Sequence, residues 1–150
     1  MLKMLNLFAV ALILFGCNQK NDNLSKLVIN TTKGEVVYYV ESAITKEEKT
    51  QGLMNRKELR ADSGMIFDIS PDEGIAIWMK DTYIPLDVLF VNPEGKIVWI
   101  YQNAEPLSTN LVRPLIKEPI SAVVELNGGD VQKHNIKIGD TIKHKLIKKK

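Results

Sequence analysis

Short runs of five to seven residues, rich in Val, Ile, Leu and aromatic side chains, recur along this chain, each closed by turn-forming residues. That punctuation restricts it to a β-rich fold. Residues 26–30 and 35–41 read as a hairpin around Thr32-Lys33-Gly34. Further strands are expected at 65–69, 74–79, 86–91, 96–102, 120–126 and 141–147, with Asn92-Pro93-Glu94-Gly95 as a strong turn between two of them. Two short helices interrupt the series. Thr45 opens the first, Glu48 completes a capping box, and the helix should run to about Lys57. Asn127 caps the second, which ends near His134. Residues 103–118 carry Pro106 and Pro114 and read as a long irregular loop, a kind that often serves function. The expected fold is α+β, mostly antiparallel β, either a small barrel or a two-layer sheet, with two short helices. The βαβ alternation of a nucleotide-binding fold is missing, and no GxGxxG, P-loop, GxSxG or HExxH occurs.

The first residues set an expected compartment. Lys3 supplies a positive start, and residues 7–15 are an unbroken apolar run of nine, too short to span a bilayer but right for a signal peptide. The run ends in Gly16 and Cys17, the only cysteine of the chain. This resembles a lipobox, in which the thiol receives diacylglycerol and the leader is cut away before it; an ordinary secretory signal with an incidental cysteine is the alternative. The expected organisation is a signal peptide at 1–16, a lipidated flexible tether at 17–25 and one β-rich domain at 26–150. Removing 16 residues leaves 134, enough to enclose one core, and the mature part, with no other cysteine, needs no disulfide. In a bacterium with two membranes, Asn18 after the cysteine favours the periplasmic side of the outer membrane over the inner membrane.

Charge narrows the partners. The formal net charge of +2 falls to +1 without Lys3, so no strong field favours nucleic acid. The basic cluster Lys143, His144, Lys145, Lys148, Lys149 and Lys150 reads as a solvated tail, with contact to anionic lipid as the alternative. The membrane is met through the lipid, and no protein partner is indicated.

Six blocks hold unusual residues in order: Gln51-Gly52-Leu53-Met54-Asn55-Arg56, Gly64-Met65-Ile66-Phe67, Trp78-Met79-Lys80-Asp81-Thr82, Ile84-Pro85-Leu86-Asp87, Val124-Glu125-Leu126-Asn127-Gly128-Gly129 and Gly139-Asp140. Over about residues 35–142 they resemble the domain-of-unknown-function family 192, a bacterial and archaeal group. Its pattern runs roughly R-G-L-M-x-R, G-M-L-F, W-M-K-N-T-x-I-P-L-D, V-L-E-L-x-x-G and G-D. Gln51 stands where that pattern has Arg, and Asp81 where it has Asn. The resemblance implies a small β-rich domain, often secreted or lipid-anchored, and no established activity.

Three chemistries are open to these residues. If 74–79 is a strand, Trp78 and Lys80 share one face, and Lys80, Asp81 and Thr82 converge at its end. Asp87, at the head of an apolar run, is expensive to bury unless paired, with Arg56 and Lys80 as expected partners, unless it holds the turn before Leu86. Arg56, Lys80, Asp81, Asp87 and Glu125 then form either a structural network of salt bridges and turn caps, or, with Trp78 and Thr82, a polar-floored pocket for a small anionic or polyhydroxyl ligand. Alternatively, Asp87 and Glu125 divide acid and base roles in a hydrolase. Met54, Met65 and Met79 beside Trp78 offer soft thioethers suited to Cu(I), though methionines more often fill a core. His134 and His144 have no zinc-ligand spacing. The leading expectation is a non-enzymatic, membrane-tethered binding or accessory module of the cell envelope, with no cofactor.

Overall fold

The computed structural model describes residues 24–70 and 74–147. The expected signal peptide, Cys17, nearly all of the tether and residues 148–150 lie outside the described residues.

Seven strands run in chain order: β1 (Ser25–Thr31), β2 (Gly34–Ala43), β3 (Ser63–Asp68), β4 (Leu86–Val91), β5 (Ile97–Ala104), β6 (Ala122–Asn127) and β7 (Thr141–Lys143). They form one sheet in the order β5-β4-β6-β3-β2-β1-β7. Every neighbouring pair is antiparallel except β2 and β3. A parallel pair needs a crossover, and here helix α1 (Lys46–Gln51) and the turn after it supply one. The sheet curls until its edges touch. Lys96, just before β5, bridges Thr141 of β7, and the Ile142 N–H donates to the Gly95 carbonyl at 2.7 Å. The expectation of an α+β, mostly antiparallel fold with two short helices holds, and the barrel-like arrangement is the one adopted.

Both faces of the sheet are covered over its central strands β3, β4 and β6, while β1, β2, β5 and β7 keep exposed positions. Inside the curl, Leu27, Tyr38, Ile66, Leu89, Val124 and Ile142 pack with Val131 of helix α2 (Asp130–Lys133). On the outer face, Phe67, Leu86, Val88, Phe90 and Val123 lie beneath Leu53, Met79, Ile84 and Val112 from the connections. A strand buried on both sides has no solvent face, so β4 is apolar at every position but Asp87.

The expected strand at 74–79 does not form. Gly74 to Met79 is extended and pairs only through an isolated bridge between Ile77 and Val112. Its alternation has another cause: Ile75, Ile77 and Met79 point down onto the outer core, as a cover rather than a sheet member. Helix α1 is shorter than expected because Gly52 ends it, at φ 44°, with its N–H on the Glu48 carbonyl. Its capping box is as read: Thr45 Oγ1 accepts from the Glu48 N–H, and Glu48 Oε2 accepts from the Thr45 N–H. Asn127 does not cap α2; it ends β6, its amide donates to the Leu59 and Arg60 carbonyls, and Gly129 takes the cap position. The strand expected at 141–147 stops at Lys143. His144, expected in a solvated tail, is buried instead, with Nε2 2.7 Å from Ser25 Oγ.

Candidate functional site

Three carboxylates are buried among the described residues, Asp87, Glu125 and Asp130, and the strand register separates the two that stand in the sheet, Asp87 and Glu125. Asp87 stands opposite Leu126 of the inner core, whereas Glu125 stands opposite Val88 and Met65 of the outer one. Their side chains therefore leave opposite faces of the sheet. The expected Asp87/Glu125 pair of a hydrolase is corrected on this ground: no substrate bond lies between groups divided by a sheet.

Asp87 has a structural task. Its Oδ1 accepts from the Asn103 N–H and its Oδ2 from the Val131 N–H, both at 2.8 Å. It ties the end of β5 and the first turn of α2 to β4. The expected partners Arg56 and Lys80 are not used, so Asp87 leaves the set of expected ligand-binding residues. Close by, the Tyr38 hydroxyl donates to Asp130 Oδ2 at 3.2 Å. Burial, and then the negative Asp130, push the Tyr38 hydroxyl well above its usual range.

Arg56 is also occupied. Its guanidinium makes a bidentate pair with Glu41, at 2.6 and 2.7 Å, on the outer face beside Met65. Lys80 and Trp78 do meet: the ammonium lies 5.3 Å from the indole centroid, and both side chains are exposed. Asp81 sits at φ 53°, a left-handed conformation that Asn and Asp tolerate best, and its carbonyl accepts from the Asn55 N–H at 2.7 Å. A backbone role of this kind explains why Asp can stand where the family pattern has Asn. The 103–118 loop does reach this segment, with the Met79 N–H donating to the Ser108 carbonyl and the Leu107 N–H to the Thr82 carbonyl.

Glu125 has no such task, and the described side-chain atom that is enclosed without a hydrogen-bond partner is Ser42 Oγ. Glu125 is 5% exposed, and among the described residues it has no hydrogen-bond or salt-bridge partner. Burial alone pushes its carboxyl up to about 8, so at neutral pH it is mostly the uncharged acid. It lines a small cavity of about 60 Å³ whose walls come from four segments. Lys49, Thr50 and Gln51 end α1 and Gly52, Leu53 and Met54 follow it, Phe67 lies in β3, Ala76, Ile77, Trp78 and Thr82 belong to the cover, and Leu86 opens β4. All of these but Lys49, Thr50, Ala76 and Ile77 stand in the blocks singled out in the sequence, which bring their residues to one carboxyl. Gly52 at φ 44° brings the backbone close here, where a Cβ would lie 3.4 Å from the Phe67 ring. A larger cavity of about 710 Å³, along Ile69, Ile75, Ile116 and Pro119, contains none of the block residues.

Of the expected ligand-binding residues, Trp78 and Thr82 line the Glu125 cavity and Lys80 stands beside it over the indole. The three methionines are divided: Met65 and Met79 are packed in the outer core, and Met54 is at the cavity wall. Sequence reasoning missed Gly52, Leu53 and Phe67 as cavity walls, although their place in the ordered blocks was the available signal.

The comparisons identify the family. Residues 28–144 match the family described as "Uncharacterized ACR", DUF192. The chain belongs to this family. A protein of unknown function from Novosphingobium aromaticivorans DSM 12444 is 35% identical, with a TM-score of 0.76 over 81% of this chain and 85% of its own. A protein from Sinorhizobium meliloti 1021, described as a "putative transcription regulator", is also 35% identical, with a TM-score of 0.75 over 80% of this chain and 92% of its own. None of the curated proteins matches the chain. In this DUF192 chain, residues from the second through fifth pattern blocks thus share a wall with residues from the first.

Proposed function

We propose that this DUF192 chain is a non-enzymatic binding or accessory module of the cell envelope, held to a membrane by lipid on Cys17, and that the Glu125 cavity receives a small polar ligand. One observation carries the binding part: residues from separate sequence blocks surround a buried carboxyl that no described protein group satisfies. Burying a polar group without a partner costs about 1–3 kcal/mol. A fold that keeps such a group beside an opening gains if a ligand completes it. Trp78, 41% exposed at the rim, adds an apolar wall with a polar edge, as small-molecule sites commonly do.

The anchoring part rests on the apolar run ending at Gly16-Cys17, with placement on the periplasmic side of an outer membrane favoured by Asn18. Two measurements test the whole reading. Native mass spectrometry of the full chain, purified in mild detergent from its own membranes, is expected to show a retained small molecule that Glu125→Leu loses; a bare protein with no mass increment would count against a binding module. Cys17→Ser is expected to move the protein from membranes into the soluble envelope fraction. Unchanged partition, with no labelling of the unaltered chain by a palmitate analogue, would overturn the anchor.

A further inference from the structure

The fold brings the start of β1 and the basic run after β7 to one place. His144 is buried, its Nε2 lies 2.7 Å from Ser25 Oγ across 119 positions of sequence, and its Nδ1 accepts from the Leu146 N–H. Ser25 stands eight positions after Cys17, a span of at most about 28 Å in an extended chain. Around this junction the strand register gathers lysines. Lys143 pairs with Val28, and Lys26 lies two residues from Val28, so both leave the face opposite the buried Leu27, Ile29 and Ile142. Tyr39 pairs with Lys26 on the same face and is exposed. Lys145 follows, also exposed, and Lys148, Lys149 and Lys150 come next in the sequence. The acidic groups on this side are engaged: Glu35 stands 3.9 Å from Lys143, Glu41 is held by Arg56 and Asp62 by Arg60. Lys26 and Lys145 have no ion-pair partner among the described residues. On the flanks, Glu94 and Lys96 offset each other beside Gly95, and Asp68, Glu118 and Arg113 line the cavity that Leu146 reaches. In a chain of net charge +2, the cationic excess is therefore local to the β1–β7 side.

We propose that this face docks on the headgroups of anionic phospholipid, as a second hold on the membrane beside the lipid at Cys17, the anchor on which the proposal rests. One acyl chain gives only marginal, reversible binding, and a polybasic patch beside it makes attachment stable. The structure supplies that pairing, because the contact between His144 and Ser25 puts the lysines at the root of the segment that carries Cys17. Tyr39 adds an amphipathic ring of the kind that sits at headgroup level. The attraction reaches about 10 Å at 0.1 M salt, so it acts once the face lies against the bilayer and then fixes the orientation of the domain there.

The full chain, purified in mild detergent from its own membranes, is placed in bicelles of phosphatidylcholine with or without phosphatidylglycerol, each holding a lipid spin-labelled on its headgroup. Paramagnetic broadening of backbone amides reports which face lies at the surface. In about 0.1 M salt, the Lys26, Tyr39 and Lys143 amides are expected to broaden more with phosphatidylglycerol than without it, and more than the Leu107 and Leu111 amides. The difference is expected to vanish in about 1 M salt, where charges are screened within about 3 Å. Lys26→Gln and Lys145→Gln are each expected to lower the ratio of docked to free domain about fivefold, the equivalent of about 1 kcal/mol for each lysine near an anionic surface. Broadening that is equal in the two lipids, that survives high salt, or that is strongest at Leu107 and Leu111 overturns the proposal. So does a shift of the same amides by polyglutamate with none from phosphatidylglycerol, which would assign the face to an acidic protein. Labelling of Cys17 by a palmitate analogue reads the anchor separately. A labelled chain without lipid-dependent broadening keeps the anchor and loses the docking face; an unlabelled chain that broadens only with phosphatidylglycerol keeps the face and loses the anchor.

Discussion

At the scale of single residues, two carboxyl groups of similar burial behave differently because of what faces them. Asp87 is fully enclosed, and two backbone N–H groups point at its oxygens. Hydrogen bonds to a charged group are worth about 1.5–3 kcal/mol each, and deleting the acceptor leaves buried donors unsatisfied. Asp87→Ala is therefore expected to destabilise the domain by about 3 kcal/mol in urea titration; a loss under about 1 kcal/mol would show that the tie to α2 and β5 is not held there. Glu125 has no such donors, and its cost is carried by remaining protonated. The sequence alone marked Asp87 as costly to bury and placed Glu125 in the same candidate set. It could not say which would be satisfied, because the donors come from Asn103 and Val131, 16 and 44 positions along the chain.

At the scale of elements, turn chemistry proved the most legible feature. The Asn92-Pro93-Glu94-Gly95 turn lies where it was read, with Asn92 Oδ1 accepting from the Lys96 N–H and the Gly95 N–H donating to the Asn92 carbonyl. Its second duty was not readable. Gly95, at φ 80°, also meets β7, and a Cβ there would lie 2.7 Å from the Ile142 carbonyl oxygen. Gly95→Ala is thus expected to cost about 1–3 kcal/mol and to loosen the closure between β5 and β7. Hydrogen exchange should quicken at the Ile142 amide more than at the Val124 amide in the centre of the sheet; equal protection in the variant and the unaltered chain would refute the closure role. The 74–79 segment is the opposite case. Its alternation was real, but an extended segment that lies on a sheet and a strand within one share that pattern, and only hydrogen-bonding neighbours distinguish them.

At the scale of the whole molecule, two buried groups impose opposite pH dependences. Burial holds His144 down to about 4, below its ordinary 6.5, so protonation favours the unfolded chain. The stability it contributes is complete above pH 6.5 and falls as pH drops towards 4. Glu125 is held up at about 8, above its ordinary 4.5, so its contribution is complete below pH 4.5 and is lost as pH rises through 8. The two slopes oppose each other between pH 4.5 and 6.5, where stability should be nearly level, and above pH 6.5 the Glu125 slope should dominate. Thermal unfolding from pH 4 to 9 is expected to show this decline on the alkaline side, and Glu125→Gln to remove it and to uncover the His144 loss as pH falls below 6.5. A Glu125→Gln curve parallel to that of the unaltered chain throughout would contradict the burial of an ionisable carboxyl. His144 also carries whole-molecule geometry, joining the segment after β7 to Ser25 at the start of β1.

Local chemistry was enough to establish strands, turns, the α1 capping box and the ordered blocks that mark the family, because each depends on residues within a few positions of one another. Which face of the sheet each side chain occupies was decided only by tertiary structure. A strand covered on both sides has no hydrophobic asymmetry to reveal its orientation, and the register between β4 and β6 alone sends Asp87 inward to backbone donors and Glu125 outward to the cavity.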